Sequence, residues 1–322
     1  MPFTSFNQVP AAPGDWLNVL AAGANNLGQG DSTAALNAAL ASAAPGQPVY
    51  FPRGVYNTSA PLVIPQGVSV LGPSRSLGVP IGNYGSGGLP VLGAIIKPTA
   101  GFAGASVIQL AGPTASQGGQ QQITRLAMDG TNVTAPNTVH GIAATGFCAA
   151  VTLTEVLVYG GVITPGGNGL GGDGLHVVPT TGTPDFWDIF RCKFSGMNGN
   201  GALLTALADS YVTNCEATGN TGNGWSITNG NNSRYVDCKA EGNLTSGWVL
   251  TGNPGFAGRV YWTGCTSGQN TTSGFAISGT GTGTYYMNGC VAIDTTPSTY
   301  AGTMNLKTNA AWNTSTVAPT FS

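Results

Sequence analysis

CKFSGMNGNGALLTALADSYVTN (192–214), CEATGNTGNGWSITNGNNSRYVD (215–237), CKAEGNLTSGWVLTGNPGFAGRVYWTG (238–264) and CTSGQNTTSGFAISGTGTGTYYMNG (265–289) follow one another without a gap, and Cys290 opens a further unit. The cysteines are 23, 23, 27 and 25 residues apart. Aligned on them, other columns appear. Gly219-Asn220, Gly242-Asn243 and Gln269-Asn270 coincide, as do Gly201, Gly224, Gly247 and Gly274. Ala202, Trp225, Trp248 and Phe275 come next, then Leu204, Ile227, Leu250 and Ile277 two positions on. The register extends backward. ITRLAMDG puts Leu126 in the cysteine column, and LTEVLVYG puts Val156 there, with spacings of 30 and 36 residues. A period near 23 residues, with short β-branched or aromatic runs between Gly, Asn, Thr and Ser clusters, predicts stacked coils.

Strands of successive coils would pair in parallel, about 4.8 Å apart, with equivalent residues above one another. Cys, Val and Leu then share one inward column, and Trp, Phe, Ile and Leu another. Asn220, Asn243 and Asn270 would form an amide ladder at a turn. A leucine-rich repeat has an overlapping period but needs a Leu-x-x-Leu-x-Leu frame, which is absent. The fold class expected is all-β: a single-stranded right-handed parallel β-helix. In-register neighbours aim the same way, so the cysteines are expected as reduced, buried thiols. No CxxC or Cys/His spacing suggests zinc, and Asp is too sparse to propose calcium. No metal and no cofactor is therefore expected. GNGLGGDG (167–174) lacks a following helix, so it is not a phosphate loop. The NxS/T sequences at Asn57, Asn132, Asn243 and Asn270 arise by composition in a chain rich in Asn and Thr.

Only 22 of 322 residues are charged, 10 basic and 12 acidic, while 41% are hydrophobic and 51 are glycine. That apolar content opposes disorder, and no Gly-X-Y register supports collagen. The net charge of -2 opposes nucleic-acid binding. No apolar run is long enough for a membrane span. The opening MPFTSFNQVPAAPGDW has no basic start followed by an apolar core, so no Sec-type signal peptide is read there. A virion or extracellular location, reached by lysis or assembly, is the expectation.

One helix is predicted, over TAALNAALASAA, capped by Asp31 or Ser32, with Leu36, Leu40 and Ala43 on one face and Pro45-Gly46 at its end. The organisation expected is an N-terminal arm and capping helix (1–45), the β-helix (46–300) and a C-terminal tail or oligomer contact (301–322). GANNLGQGDSTAALNAAL (Gly23 to Leu40) followed by VYFPRGVYNTSAPLVIPQGVSVLG (Val49 to Gly72) resembles the opening of pectate-lyase-superfamily β-helix proteins. That family includes polysaccharide enzymes and the spikes and fibres of bacteriophage tails. Tyr50, Phe51, Pro52, Gly54 and Tyr56 match its "yFPxGxY" strand pair. The resemblance implies a helix plugging the open end of the solenoid, which would otherwise expose strand edges. It hands over no catalytic residue. The Asn-Thr-Asp, Asp-Asp, Gly-His-Gly and Arg-x-Lys set of polygalacturonases is missing, as is the Arg-x-Pro-x-x-Arg of pectate lyases.

Candidate site residues fall in two groups. If the cysteine column faces in, Arg125, Asp129, Glu155, Arg191, Lys193, Glu216, Asp237, Lys239 and Glu241 face out on one strand face, with signs alternating up the stack. This is either a solvated face pinned in register or a polysaccharide groove, in which Arg125, Arg191 and Lys193 would bind substrate. The second group lies in the long-loop coils. His140-Gly141 and Asp173-Gly174 share a column, so His140 and Asp173 are expected to be neighbours. His176 and Glu155 complete the candidate catalytic set, for either two-carboxyl hydrolysis or lyase chemistry. Asp185, Trp187 and Asp188 are further candidates for substrate contact. Tyr211, Tyr235, Tyr261, Trp262, Tyr285 and Tyr286 also precede the cysteine column, and several of them are expected to face out and line a saccharide groove. The glycine-rich loops 78–90 and 163–174 would rim the groove.

The function expected is a virion tail spike or fibre-like protein that binds, and in some cases depolymerises, a bacterial surface polysaccharide. The family's spikes imply a homotrimer and contact with other phage tail proteins. A free polysaccharide lyase or glycoside hydrolase, and a non-catalytic structural adhesin, are the alternatives.

Overall fold

The computed structural model of the protein describes residues 16–73, 93–112, 119–135, 137–161, 165–252, 257–279, 282–296, 298–302, 305–308 and 311–312. The 78–90 loop and most of the C-terminal tail lie outside them. The chain winds as a right-handed parallel β-helix whose coils build three parallel sheets. Sheet I has 11 strands, from Leu17–Asn18 to Asn305–Thr308; sheet II has 10, from Gly54–Thr58 to Ala311–Trp312; sheet III has 9, from Leu62–Ile64 to Ser298–Gly302. The coil Tyr211–Thr213, Glu216–Thr218, Trp225–Thr228 repeats one rung on as Ser233–Val236, Lys239–Glu241, Trp248–Gly252. Its register pairs Val212 with Tyr235, Ala217 with Ala240 and Trp225 with Trp248.

A single left-handed residue turns each of seven successive coils from sheet I to sheet II. Arg125, Glu155, Arg191, Asn214, Asp237, Gly264 and Gly289 hold this place, with φ of 51–63°. A non-glycine residue there costs roughly 1 kcal/mol. The turn aims the residue's N–H along the stack, as Asn214 donates to the Val236 carbonyl at 2.9 Å and Asp237 to Thr263 at 2.9 Å. Arg125, Glu155, Arg191 and Asp237 are therefore corner residues rather than members of a strand face. Asp129 does not face water either. It is 2% exposed, paired with Lys97 at 3.2 Å, and caps the Thr131 N–H. Ion pairs do join Arg191 to Glu155 at 3.6 Å and Lys193 to Glu216 at 2.6 Å along the stack, whereas Lys239 reaches Glu241 of its own coil.

The interior follows from two-residue alternation. Cys192, Cys215, Cys238, Cys265 and Cys290 are buried and unbridged, as is Cys148. Burial pushes the Cys148 thiol up to about 11, so it stays protonated at neutral pH. Thiol Sγ atoms donate to main-chain carbonyls, Cys215 to Thr213 at 3.3 Å and Cys238 to Val212 at 3.3 Å. Trp225, Trp248 and Phe275 stack with ring centroids 5.3 and 5.8 Å apart, and Tyr235 stacks on Trp262 at 5.4 Å. At the turn from sheet II to sheet III, Asn220 donates Nδ2–H to Asn243 Oδ1 at 2.9 Å, and Asn243 to Asn270 Oδ1 at 2.8 Å. Asn270 donates to Asp294 Oδ1 at 2.9 Å, which extends the expected ladder by one carboxylate. The same Oδ1 atoms also accept main-chain N–H groups of the preceding coil, Met197 on Asn220 and Asn220 on Asn243.

The N-terminal segment seals the first coil. The helix Thr33–Ser42 begins where the Asp31 carboxylate accepts the Thr33 N–H at 2.9 Å; Ser32 precedes it without a side-chain cap. Burial opposes ionisation of Asp31, but hydrogen bonds from Ser59 and Thr33 outweigh it and hold the carboxyl below its usual range. Leu36, Ala39 and Leu40 are buried over the open end of the core. Asn37 accepts the Val63 N–H and donates to the Pro61 carbonyl, so its amide stands in for a missing neighbour at the edge of sheet III. Asn26, Gly28 and Ser32 bond the edge strand of sheet II through Val55 and Asn57.

Asn243→Ala would strip acceptors from the buried Asn220 amide and main-chain N–H and a donor from Asn270. Buried unpaired polar groups cost about 1–3 kcal/mol each. A loss of about 3 kcal/mol or more in unfolding free energy is expected by denaturant titration, with no matching loss for the exposed Asn232→Ala.

Candidate functional site

A second polar column climbs the start of sheet III. Register places His140, Asp173, Asn200, Asn223, Ser246 and Ser273 at equivalent positions. From Asp173 to Ser246, each main-chain N–H donates to the side chain one coil earlier. Asn223 N–H bonds Asn200 Oδ1 at 3.0 Å, and Asn200 N–H bonds Asp173 Oδ1 at 2.8 Å. The side-chain amides repeat the pattern, Asn223 to Asn200 at 3.0 Å and Asn200 to Asp173 at 2.8 Å. This ladder runs toward the N-terminus, opposite to that of Asn220, Asn243 and Asn270. Asp173 N–H in turn donates to His140 Nδ1 at 2.8 Å.

That last bond assigns protons. A main-chain N–H can only donate, so His140 Nδ1 carries a lone pair and the ring proton sits on Nε2. Burial, with His176 adding repulsion against the attraction of Asp173, lowers the His140 pKa to about 4. His140 is neutral at neutral pH. For Asp173, burial opposes ionisation but is outweighed by hydrogen bonds from His176 and Asn200 and by the nearby His140, so its carboxyl titrates below the usual range. Its Oδ2 lies 2.7 Å from His176 Nδ1. An ionised carboxylate accepts, so His176 donates from Nδ1, and the neutral ring then bears its lone pair on Nε2. The two imidazoles stack at 3.8 Å with 28° between planes. Both are part-exposed, at 19% and 18% of the side chain, while Asp173 is buried. The arrangement is a base, His176 Nε2, beside a neutral donor, His140 Nε2–H, on a buried carboxylate. Gly172 makes room for it: a Cβ there would collide with His140 Nδ1. Asn137 orders the adjoining loop, accepting Gly171 N–H at 2.7 Å and donating to the Gly169 carbonyl at 2.9 Å.

The three side chains lie within 4.8 Å of one another, close enough to share a cation. Their facing atoms are already engaged, His140 Nδ1 by the Asp173 N–H and Asp173 Oδ2 by His176. A metal would have to displace these bonds; His140 Nε2 carries the ring proton, so of the three side chains only neutral His176, at Nε2, keeps a lone pair free of them.

The other candidates are dispersed. Glu155 sits at the I–II corner with Arg191. Arg125 occupies the same corner column, and Lys193 lies on sheet II. Arg191, Asn214, Glu216, Asp237 and Lys239 line a shallow groove of about 470 Å³ there. Asp188 is exposed on sheet I, and Asp185 precedes it, its pKa raised by burial and by Asp209. Trp187 is not a surface platform. It is 1% exposed and donates Nε1–H to the Cys148 carbonyl at 2.8 Å. Tyr235, Trp262 and Tyr285 are buried as well; Tyr211, Tyr261 and Tyr286 face out. Asn200 and Asn223 were missed as parts of the site. Their signal is present in the sequence, since both precede the glycine column that follows His140 and Asp173.

The sequence matches the rhamnogalacturonase A/epimerase, pectate lyase-like family over residues 16–292, and the chain belongs to that family. No curated protein matches it. Among solved structures, the A-module of mannuronan C-5 epimerase AlgE4 from Azotobacter vinelandii is similar, with a TM-score of 0.63 and 15% identity over 96% of this chain and 100% of that one. Tailspike gp49 of Acinetobacter baumannii bacteriophage Fri1, a capsular polysaccharide depolymerase, gives 0.56 and 14% identity over 96% and 65%. Tailspike protein 2 of Escherichia coli O157:H7 bacteriophage CAB120 gives 0.60 and 14% over 87% and 35%. The chain thus spans about two thirds and one third of these two spikes. Such likenesses establish the shared fold.

The depressed His140 pKa couples the site to stability. The unfolded chain takes up this proton near pH 6.5, the folded chain only near pH 4, so stability falls as pH drops through that window. The loss is roughly 2–3 kcal/mol by pH 4.5. His140→Asn keeps an acceptor for the Asp173 N–H without a titrating group. In denaturation at pH 7 and 4.5, the variant is expected to lose that much less than the parent.

Proposed function

We propose that the protein is a polysaccharide-acting β-helix of the tail-spike type, and that it attacks an acidic bacterial surface glycan by abstracting a ring proton beside the sugar carboxylate. The observation that carries this is the Asp173–His176 bond at 2.7 Å with neutral His140 stacked alongside. Asp173 holds His176 in the tautomer that exposes a basic Nε2 and stabilises the imidazolium formed when the proton arrives. His140 Nε2–H supplies a hydrogen-bond donor for the negative charge that develops on the substrate. Protonation of the opposite face of the same carbon, from solvent, inverts it; breaking the neighbouring C–O bond instead, with the leaving oxygen protonated by the imidazolium or solvent, cleaves the chain and leaves a carbon–carbon double bond. Two-carboxyl hydrolysis is the weaker fit, because Asp173 is the one carboxyl in this cluster and Glu155 lies at another corner. The similarity to a mannuronan epimerase module and to a capsular depolymerase supports the substrate class. In this reading the protein acts in a virion as a homotrimer joined to other tail proteins, as the spikes it resembles suggest.

Incubation with acidic capsular glycans in deuterated water tests it. Solvent deuterium at the abstracted position, or an unsaturated sugar end seen by ultraviolet absorbance, is expected. His176→Ala should cut the rate by about 10²–10⁴-fold, and Asp173→Asn by at least tenfold with the fold retained, since Asn occupies this column at 200 and 223. New reducing ends without deuterium or unsaturation would overturn the mechanism.

A further inference from the structure

The outer face of sheet I carries a column that the His140–Asp173–His176 cluster does not use. Register aligns Asp188, Tyr211, Arg234, Tyr261, Tyr286 and Lys307 along the helix axis. Arg234 is exposed and packed between two rings, its Cζ 5.3 Å over Tyr211 and 5.6 Å over Tyr261. Tyr261 stacks in turn on Tyr286 at 4.9 Å, with 12° between planes. The guanidinium is thus flanked by a ring on either side along the stack, and part of its edge of donors remains. One of them, Nη1, is held by the Tyr211 hydroxyl at 2.6 Å. A guanidinium has five N–H donors in a fixed plane. Among the described residues, ion pairs engage Lys97, Arg191, Lys193 and Lys239, whereas Arg234 has no carboxylate partner.

We propose that Arg234 is a preformed carboxylate-binding point on a second, non-catalytic glycan site. A planar donor fork, its rotamer fixed by two aromatic rings, matches the two oxygens of a sugar carboxylate and loses little freedom on binding. Phenolic hydroxyls lie on the neighbouring rungs, and the coil spacing offers a linear chain regular contacts along the axis. Asp188 sets the limit at one end by repelling anions, and Lys307 occupies the position beyond Tyr286. The site lies on sheet I, while the candidate base is on sheet III. The strip would hold an acidic chain on the molecule while another stretch reaches the base. The inference rests on the glycan-acting reading, but not on the chemistry of His176.

The test is affinity for alginate, polygalacturonate, polysialate and chondroitin sulfate, with dextran as the neutral control, for the parent, Arg234→Ala, Arg234→Lys, His176→Ala and the double variant Arg234→Ala with His176→Ala. At least one acidic glycan should bind the parent, and the loss caused by Arg234→Ala should be the same with and without His176→Ala. Arg234→Ala should bind about tenfold more weakly, and Arg234→Lys should recover only part of this, since an ammonium lacks the fork. Unchanged circular dichroism and melting certify the variants, and Arg234→Lys serves if the alanine variant fails to fold. Equal affinity of the parent and Arg234→Lys or Arg234→Ala overturns the proposal. So does a change of oligomeric state by light scattering without a change in glycan affinity, which would make the strip an interface between copies. If the parent binds none of the acidic glycans, the carboxylate site fails, and the deuterium assay judges the catalytic reading separately.

Discussion

Main-chain N–H groups at the coil turns find their partners in neighbouring coils, at the I–II corner on carbonyls and along two polar columns on side chains. That handover from rung to rung is the constraint on which the architecture depends. Asn220, Asn243, Asn270 and Asp294 carry it toward the C-terminus; Ser246, Asn223, Asn200 and Asp173 carry it the other way. Each ladder ends on a carboxylate, which only accepts. A slip of one residue in any coil would break both, so register is fixed by polar satisfaction as well as by the inward columns.

The site grows from the same rule. Asp173 occupies a ladder position, and its two oxygens are divided between the ladder and His176. His140 takes the place of an amide one coil earlier and is pinned by the same kind of main-chain donor. A structural column has thus been converted, over two rungs, into a base, an orienting carboxylate and a neutral donor. Chains of hydrogen bonds polarise one another, so the amides behind Asp173 help to keep it ionised.

The fold was largely legible because the cysteine spacing is an alignment in itself: once Cys192 to Cys290 were superposed, Asn220 and Trp225 identified their columns. The pairing of His140 with Asp173 followed from the glycine after each. Failures came where alternation stops. Arg125, Glu155, Arg191 and Asp237 were counted as strand residues, yet a left-handed corner rotates them out of the strand pattern. Trp187 precedes a strand, where period-two counting has no origin, and it turned into the core. In Tyr261-Trp262 and Tyr285-Tyr286 adjacent rings go to opposite sides, so aromatic content alone could not say which faced out. Proton placement on His140 and His176 was beyond the sequence, since it depends on a main-chain donor from the next coil.

The plug at the N-terminal end has a meaning beyond stability. Parallel coils add to one another through their edges, and nothing in the rung chemistry tells the stack where to stop. The amide of Asn37 and the backbone around Asn26 and Gly28 occupy the edges of sheets III and II, which a foreign coil would otherwise find vacant. The few residues that close this end therefore act as a chain terminator there, denying a foreign coil the edges on which it would stack.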